Sequence, residues 1–423
     1  MLKQDVIQVR CFNQEIGKLG LDGHQNKSFF QYNPQYLQNT TYKNLFPDTG
    51  ILKHTLQTQI FTRFDNETFK SLPPVFADSL PDVFGNIIFK KWLESRTISN
   101  KKISVLEQLS YVGERGMGAL EYHPIINLPS SNHFNLEEVT DVLQAILNQK
   151  TTIKKSNLNQ DALLHIFKIG TSAGGVRPKI LISENKSSGE IIPSDIVISD
   201  DYHHYLVKLF LDEKESFNKE ILEYCYYLCA IHVGICMMPC KLIEDKHFAS
   251  VRYDRQNGEK QHVLTASGLT GWDFKTAENS SYENLFELAL FLKIPPKEID
   301  ELFKRMVFNV VFCNTDDHLK NHSFIYNPIN DNWNIAPAYD ITYALNPFMN
   351  YKRISRALSI QNKRFDITIN DILKIADKYS IKNAKAIVNQ IQNAIDYCIE
   401  IMKEHNIPLS VIQSIQKDFN DLT

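Results

Sequence analysis

A nine-residue polar segment, Asn-Thr-Asp-Asp-His-Leu-Lys-Asn-His at residues 314–322, begins one residue after the apolar run at 306–312. The apolar run predicts a buried element, and the chain can leave a core only where its polar groups find partners. The polar segment then brings two carboxylates, two imidazoles, two amides and an ammonium together. Any fold of this chain must hold this Asp–Asn loop (residues 314–322) against its core and keep some of the polar groups accessible.

The spacing within and after the Asp–Asn loop indicates phosphoryl transfer. Asp316 and Asn321 are five residues apart, and Asp340 follows nineteen residues later. In protein kinases an Asp orients the substrate hydroxyl, an Asn five residues on binds magnesium, and a later Asp is the main metal ligand. Asp316, and not Asp317, has the required distance to Asn321. Lys320 is placed to neutralise the charge of a transferred phosphoryl group.

Two other interpretations of the Asp–Asn loop stay open. His318 and His322, four residues apart, form a candidate transition-metal site with Asp316 or Asp317. A solvated polar loop without function is the second. The oxygen-rich surroundings suit magnesium better than a transition metal, and His318 is expected to support the loop through a hydrogen bond.

Length and charge set broad limits on the protein. At 423 residues the chain is expected to hold two or three domains, and its net charge of −3 gives no global attraction to nucleic acid or anionic membranes. No stretch of about 18 apolar residues is free of charge, and the first residues lack the pattern of a secretory signal. We expect a cytoplasmic protein with no membrane partner.

The seven cysteines are odd in number and scattered, which favours reduced thiols in a cytoplasm. Cys225 and Cys229 are four residues apart, as are Cys236 and Cys240, so zinc binding is one interpretation. The same spacing fits one face of a helix, where a free cysteine acts as a small apolar side chain. We expect buried thiols.

Periodicity predicts an α+β chain of three regions: an N-terminal β-rich subdomain at 1–125, a lobe with the Gly-rich loop at 126–257, and a mainly α-helical C-terminal lobe at 258–423. Strands are predicted where apolar residues alternate or run together: 6–12, 29–32, 206–210 and 249–253. Helices are predicted where apolar residues recur every three or four positions: 81–92, 135–147, 220–229 and 371–405. Residues 148–159 are predicted to be an exposed linker, and residues 254–258 a turn.

A glycine-rich segment, Gly-Thr-Ser-Ala-Gly-Gly-Val-Arg-Pro-Lys at 170–179, is a candidate phosphate cradle. Glycine and small side chains let backbone N–H groups approach phosphate oxygens. The segment is not a Walker A loop, because no Lys followed by Ser or Thr comes directly after its last Gly. A structural turn is the alternative.

Lys208 lies inside a predicted apolar strand, and Glu223 lies fifteen residues later on a predicted helix. A buried ammonium is unfavourable unless it is paired, and a strand Lys paired with a helix Glu fixes the Lys against the phosphates in kinases. An edge strand whose Lys points to water is the alternative. The cradle, Lys208, Asp316 and Asp340 follow one another in kinase order, and this order favours phosphoryl transfer more than any one motif does.

Five segments together resemble the HipA family of bacterial serine/threonine kinases, the toxins of HipA–HipB toxin–antitoxin modules. Residues 109–122 are similar to the family's N-terminal region, and 171–179 to its Gly-rich loop. Arg-Tyr-Asp-Arg at 252–255 is similar to its R-F-D-R motif, and 315–321 and 337–341 to its catalytic and metal motifs. The resemblance covers nearly the whole chain and implies a bilobal protein-kinase-like fold with an extra N-terminal subdomain.

The resemblance also implies roles for individual residues. Asp316 is the implied catalytic Asp, and Ser172 is the implied autophosphorylation site, with Thr171 beside it as an alternative acceptor. Asn321 and Asp340 are the implied magnesium ligands. Residues 251–253 would hold adenine through their backbone. The full set of implied ATP-binding residues is Gly174, Gly175, Val176, Arg177, Pro178, Lys179, Lys208, Val251, Arg252, Tyr253, His318, Lys320, Asn321, Tyr339 and Asp340.

The implied cofactors are ATP and Mg²⁺, and the implied substrate is a protein of the aminoacyl-tRNA synthetase type. A HipB-like DNA-binding antitoxin is the implied partner and would make most of the DNA contacts. Phosphate on Ser172 would switch the kinase off, because its charge repels bound phosphates and can disorder the loop. Two other functions agree with the residues: a small-molecule phosphotransferase with the same Asp–Asn spacing, and an antitoxin-bound co-repressor without essential catalysis.

Overall fold

The computed structural model describes residues 5–22, 24–39, 41–81, 103–126, 136–147, 179–194, 199–211, 216–344 and 355–422. The predicted helix from residue 82 on, the predicted linker at 148–159 and the glycine-rich loop up to Pro178 lie outside these residues. Within the described ranges, no helix combines the length and the apolar character needed to cross a membrane.

The first sheet contains five antiparallel strands in the order β4-β3-β2-β1-β5. Their bounds are β1 Val6–Cys11, β2 Gln14–Asp22, β3 Lys27–Tyr32, β4 Gln59–Phe61 and β5 Glu121–His123. Alternate residues of β1 are buried, as expected for a strand with one face on a core. Phe12 and Asn13 turn between β1 and β2 at positive φ, the geometry of a tight hairpin. The strands predicted at 6–12 and 29–32 are confirmed.

Helices flank this sheet, and one further helix leads to the second sheet. They are α1 Pro34–Gln38, α2 Pro74–Ala77, α3 Val105–Val112 and α4 Leu136–Leu147. A capping box starts α3: the Ser104 hydroxyl accepts from the Glu107 amide at 3.1 Å, and the Glu107 carboxylate accepts from the Ser104 amide at 2.8 Å. The predicted helix at 135–147 is confirmed by α4.

The second sheet is also antiparallel and has the order β7-β6-β8-β10-β9. Its strands are β6 Lys179–Asn185, β7 Ile191–Pro193, β8 Tyr202–Lys208, β9 Cys240–Ile243 and β10 His247–Val251. Helix α5, Lys219–His232, connects β8 to β9 and contacts β9 and β10. The strand predicted at 206–210 is present as β8, which begins four residues earlier and ends at Lys208, and the strand predicted at 249–253 is present as β10, shifted two residues towards the N-terminus. The helix predicted at 220–229 is present as α5, with longer bounds.

The C-terminal region is mainly helical. Its helices are α6 Ala266–Thr270, α7 Tyr282–Phe291, α8 Pro296–Val311, α9 Ile369–Lys378, α10 Ala384–Gln392, α11 Ile395–Glu404 and α12 Leu409–Asp418. Short strands accompany these helices, the first of them at the end of the preceding region: β11 Arg255–Gln256, β12 Glu259–Lys260, β13 Val263–Thr265, β14 Ser323–Asn327 and β15 Asn332–Ile335. The turn predicted at 254–258 therefore lies largely in the β11-β12 hairpin. The sheet β13-β14-β15, which periodicity did not predict, borders the Asp–Asn loop.

One apolar core runs from the first sheet into the C-terminal helices, and a smaller core lies against the second sheet. Aromatic contacts join the first region to the β13-β14-β15 sheet. The Phe46 ring lies 5.7 Å from the His262 ring, and the Trp333 indole N–H donates to the Asn44 carbonyl at 2.7 Å. The first region is therefore packed directly on the part of the chain that carries the Asp–Asn loop.

A buried arginine–aspartate cluster (Arg252, Asp254 and Arg255) ties the end of the second sheet to the first region. Asp254 accepts from Arg252 at 2.7 and 2.9 Å, from Arg255 at 2.8 Å and from the Gly118 amide at 2.8 Å. Arg255 donates to the carbonyls of Gly116 at 2.9 Å and Gly118 at 3.1 Å. Burial would raise the pKa of Asp254, but the two guanidinium groups hold it well below its usual value.

Replacing Asp254 by Asn should destabilise the protein by about 3–5 kcal/mol, because two buried guanidinium groups would lose their counter-ion. Urea denaturation followed by circular dichroism measures the change. Asp200→Asn is the matched control: that carboxylate pairs with Lys186 but is 73 % exposed, so its loss should change stability by less than about 1 kcal/mol. Equal effects of the two substitutions would contradict the assigned role of the cluster.

Candidate functional site

The Lys208 ammonium lies at the centre of a buried ion network. Its Nζ is 2.6 Å from Glu223 Oε1 on α5 and also donates to Asp340. Lys179 Nζ, on the neighbouring strand β6, lies 3.8 Å from the other Asp340 oxygen. The predicted contact of a strand Lys with a helix Glu is present, and Lys208 is buried and does not point to water.

The charges in this network support one another. Burial alone would lower the pKa of Lys208, but the Asp340 and Glu223 carboxylates outweigh it and raise that pKa above its usual value. Burial would likewise raise the pKa of Asp340, but Lys179 and Lys208 hold it well below its usual value. Asp340 has a φ of +53°, a left-handed conformation that Asp tolerates better than most residues. Both groups are therefore charged at neutral pH.

The Asp–Asn loop begins where α8 ends. The Asn321 side-chain N–H donates to the Asp316 carbonyl at 2.7 Å, which closes the loop on itself. The Asp316 carboxylate is 73 % exposed, and its Oδ1 lies 3.9 Å from His318 Nε2. Asp316 is thus accessible to a substrate, while its backbone is fixed by Asn321.

Asp317 points the other way, into the core. Its carboxylate accepts from the Tyr282 hydroxyl at 2.7 Å, from Arg356 at 2.9 Å and from the Leu358 amide at 3.2 Å. A further hydrogen bond at 3.0 Å joins the Asn309 side chain to the Tyr282 hydroxyl. Asp317 therefore anchors the loop, and this arrangement agrees with the choice of Asp316 from the spacing.

The histidines of the loop support it through ring contacts, and the hydrogen bond expected for His318 is not present within the described part of the chain: its Nδ1 has no partner there, and its Nε2 is 3.9 Å from Asp316. The His318 ring packs on Phe274 at 4.9 Å, and the His322 ring meets Tyr282 edge-on at 5.9 Å. Burial lowers the pKa of His322 to about 4, so this ring is neutral at physiological pH. Among the described residues, the one group of three or more side chains close enough to share a metal ion is Glu114, Glu121 and His123. Neither the loop histidines nor the cysteine pairs form such a group there. Cys225 and Cys229 are buried on one helix as expected, but Cys236 is exposed and Cys240 half-buried, and neither lies on a helix.

A cavity opens beside the ion network. Leu206, Phe248, Met237 and Met238 give it apolar walls, and Lys179, Lys208, Glu223 and Asp340 form a charged end. The hinge segment, residues 251–253, borders it, and the Tyr253 and Tyr339 rings stack at 5.7 Å and 23°. An apolar slot with a charged end suits a flat base attached to phosphates.

Two backbone N–H groups of the hinge segment already donate hydrogen bonds within the protein. The Val251 amide donates to the Pro239 carbonyl at 3.0 Å, and the Arg252 amide donates to the His204 carbonyl at 2.7 Å. The Arg252 side chain points into the arginine–aspartate cluster. Any contact from Arg252 to a base would therefore have to use its carbonyl group.

Met117 also lines the cavity, and the sequence analysis missed it. It stands between Gly116 and Gly118, whose backbone groups are held by the arginine–aspartate cluster. Gly118 has a φ of +79°, and a Cβ there would lie 3.2 Å from the Val263 carbonyl oxygen, so glycine is required. The Gly-Met-Gly sequence was the available signal, but the partner of this loop lies more than a hundred residues away.

The structure brings together Lys179, Lys208, residues 251–253, Tyr339 and Asp340 around one cavity. Residues of the glycine-rich loop lie outside the described residues: Ser172, Gly174, Gly175, Val176, Arg177 and Pro178. The functional roles of the whole set stay predictions.

Comparison with known proteins gives two family matches. Residues 171–399 match the HipA-like C-terminal domain, and residues 7–123 match the HipA N-terminal domain. A comparison with curated proteins gave no match.

Solved structures also resemble the chain. HipA in the complex of the Shewanella oneidensis MR-1 toxin–antitoxin system HipA, HipB and its operator DNA is 15 % identical, with a TM-score of 0.64, over 97 % of this chain and 95 % of that one. The proinflammatory kinase CtkA of Helicobacter pylori is 13 % identical, with a TM-score of 0.38, over 58 % of this chain and 90 % of that one. The likeness to HipA shows a shared mixed α/β fold. Because the C-terminal domain model alone matches more than half of its residues, the chain belongs to the HipA family, as the sequence motifs predicted.

Proposed function

We propose that this protein is an ATP- and Mg²⁺-dependent serine/threonine protein kinase and the toxin of a toxin–antitoxin module. The observation that carries the proposal is the Lys208 ammonium, held between Glu223 and Asp340 at the charged end of an apolar cavity. A kinase needs such a Lys–Glu pair and a metal-binding Asp in one place.

The proposed architecture is bilobal. The second sheet and α5 would form the N-terminal lobe, the region from β13 onward the C-terminal lobe, and the cavity between them the nucleotide site. The glycine-rich loop would cover the phosphates, because it runs directly into Lys179 at the start of β6. Lys179 lies 3.8 Å from Asp340, so the end of that loop is already close to the proposed metal ligand.

The side chains present fit magnesium. Asp340 offers a carboxylate that is 21 % exposed and ionised. The N–H group of the Asn321 amide is committed to the Asp316 carbonyl, which leaves its oxygen as a free ligand atom. Magnesium prefers oxygen ligands, one or two of them from the protein and the rest from phosphates and water. When bound, the ion would neutralise charge on the phosphates.

The protein's own residues would do the rest. Asp316 would accept a hydrogen bond from the substrate hydroxyl and orient it for in-line attack. Lys208 would bind phosphate oxygens, and Lys320 would neutralise the negative charge that develops on the transferred phosphoryl group. Asp317 would keep the Asp–Asn loop in place from the core side.

The regulatory and partner proposals rest on the family. Autophosphorylation of Ser172 would switch the kinase off, since a dianion near bound phosphates is repelled. The HipA structure that this chain resembles is a complex with HipB and operator DNA. We propose a HipB-like antitoxin as partner, DNA contact mainly through that partner, and a translation-related protein, of the aminoacyl-tRNA synthetase type, as substrate.

Asp316→Asn should lower phosphoryl transfer about 10²–10⁴-fold without weakening ATP binding, because the residue orients the acceptor and not the nucleotide. Transfer from radiolabelled ATP and calorimetric ATP binding give the two readouts. Asp245→Asn, at an exposed turn whose left-handed backbone Asn tolerates, should match the parent protein. Equal labelling by Asp316→Asn and the parent would refute the role of Asp316, and label found only in a small molecule would favour the small-molecule phosphotransferase.

Incubation with ATP and magnesium should add one phosphate to the parent chain and none to Ser172→Ala, as measured by intact mass. Thr171→Ala is the matched control and should still gain the phosphate. The reverse pattern would move the modification to Thr171. A phosphate on both variants would place the modified residue elsewhere.

A further inference from the structure

Asp78, in the first region of the chain (residues 1–125), lies close to the Asp–Asn loop. It follows directly on α2, and its Oδ1 lies 3.9 Å from Lys320 Nζ. The Asp78 side chain is 8 % exposed, and that of Lys320 is 19 % exposed. A carboxylate is therefore held close to the loop by a region without predicted catalytic residues.

Asp78 is held in place on the C-terminal side of the contact. Its two carboxylate oxygens accept from the Thr265 amide at 2.8 Å and from the Thr265 hydroxyl at 2.9 Å. Gly268 makes room for it, because a Cβ there would lie 2.6 Å from Asp78 Oδ2. The start of α6 thus forms a niche for one carboxylate and fixes its position.

Lys320 is held at both ends. The Tyr339 hydroxyl donates to its carbonyl at 2.7 Å, and its Nζ lies 5.5 Å from the centre of the Phe274 ring. At 3.9 Å, Asp78 attracts the ammonium without a hydrogen bond, and Nζ has no hydrogen-bond acceptor among the described residues. The N–H donors of Lys320 are therefore oriented but still available to an anion.

We propose that Asp78 is a positioning residue that holds the Lys320 ammonium ready for the transferred phosphoryl group. The inference rests on the proposed kinase function. A lysine side chain is flexible and loses conformational freedom when it binds a transition state. A counter-ion that orients it beforehand reduces that loss and raises the rate of transfer. The first region then contributes to catalysis through one carboxylate.

A double-mutant cycle tests the proposal, with kcat and the KM for ATP measured on the full chain. Asp78→Asn should lower kcat about tenfold or more and leave KM for ATP unchanged. Lys320→Ala should lower kcat further, and in that background Asp78→Asn should have no additional effect, because Asp78 acts through Lys320. Asp48→Asn, an exposed carboxylate of the same region, is the matched control and should behave as the parent.

Thermal unfolding of each variant separates positioning from folding. If Asp78→Asn does not fold, Asp78→Glu takes its place, because it keeps the negative charge but moves it. This variant should lower kcat when Lys320 is present and should have no effect in the Lys320→Ala background. Two results would overturn the proposal while the kinase function stands. One is a kcat of Asp78→Asn equal to that of the parent, and the other is an equal relative decrease in kcat whether or not Lys320 is present. No transfer by the parent chain would overturn both, and this result is seen before any variant is compared.

Discussion

The single ammonium of Lys208 connects three otherwise separate parts of the site. It joins β8 to α5 through Glu223 and to the segment after β15 through Asp340. Removing an ion from water costs several kcal/mol, so such a group is stable only with close counter-ions. Two lysines and two carboxylates meet here, and their formal charges balance. Loss of any one of these four groups would leave the buried network with one unbalanced charge, and the relative placement of sheet, helix and Asp340 depends on this balance.

A balanced network has a consequence for the proposed ligand. Nucleotide phosphates would add negative charge to a site whose own charges already cancel. A divalent cation entering with them would offset part of this negative charge, and Asp340 and Asn321 provide oxygen atoms for it. Under the proposed function, Lys208 would then exchange part of its contact with Asp340 for phosphate oxygens. Its contact with Glu223 would keep it in place during that exchange.

Local patterns predicted much of this arrangement. Strand and helix periodicity placed Lys208 and Glu223 on adjacent elements, and their contact followed from the need to pair a buried ammonium. The five-residue spacing singled out Asp316, and the structure adds the reason that Asp317 is unavailable: it accepts hydrogen bonds from the core. Periodicity did not predict the β13-β14-β15 sheet, because its strands have three to five residues and β13 pairs with β14, a strand nearly sixty residues later.

Contacts across the regions could not be predicted for the same reason. Asp78, Asp254 and the loop around Met117 each make a contact with residues more than a hundred positions away, and neither the Gly-Met-Gly sequence nor the Arg-Tyr-Asp-Arg motif indicates which residues those are. Two of these contacts are made by a carboxylate. Asp254 holds the loop that carries Met117, and Asp78 lies against Lys320. Both carboxylates are buried, so each is stable only with its cationic or N–H partners, and those partners are stable only with the carboxylate. Contacts from the first region therefore fix both the wall of the cavity that carries Met117 and the Asp–Asn loop, so neither is in place until the first region has folded onto the rest of the chain.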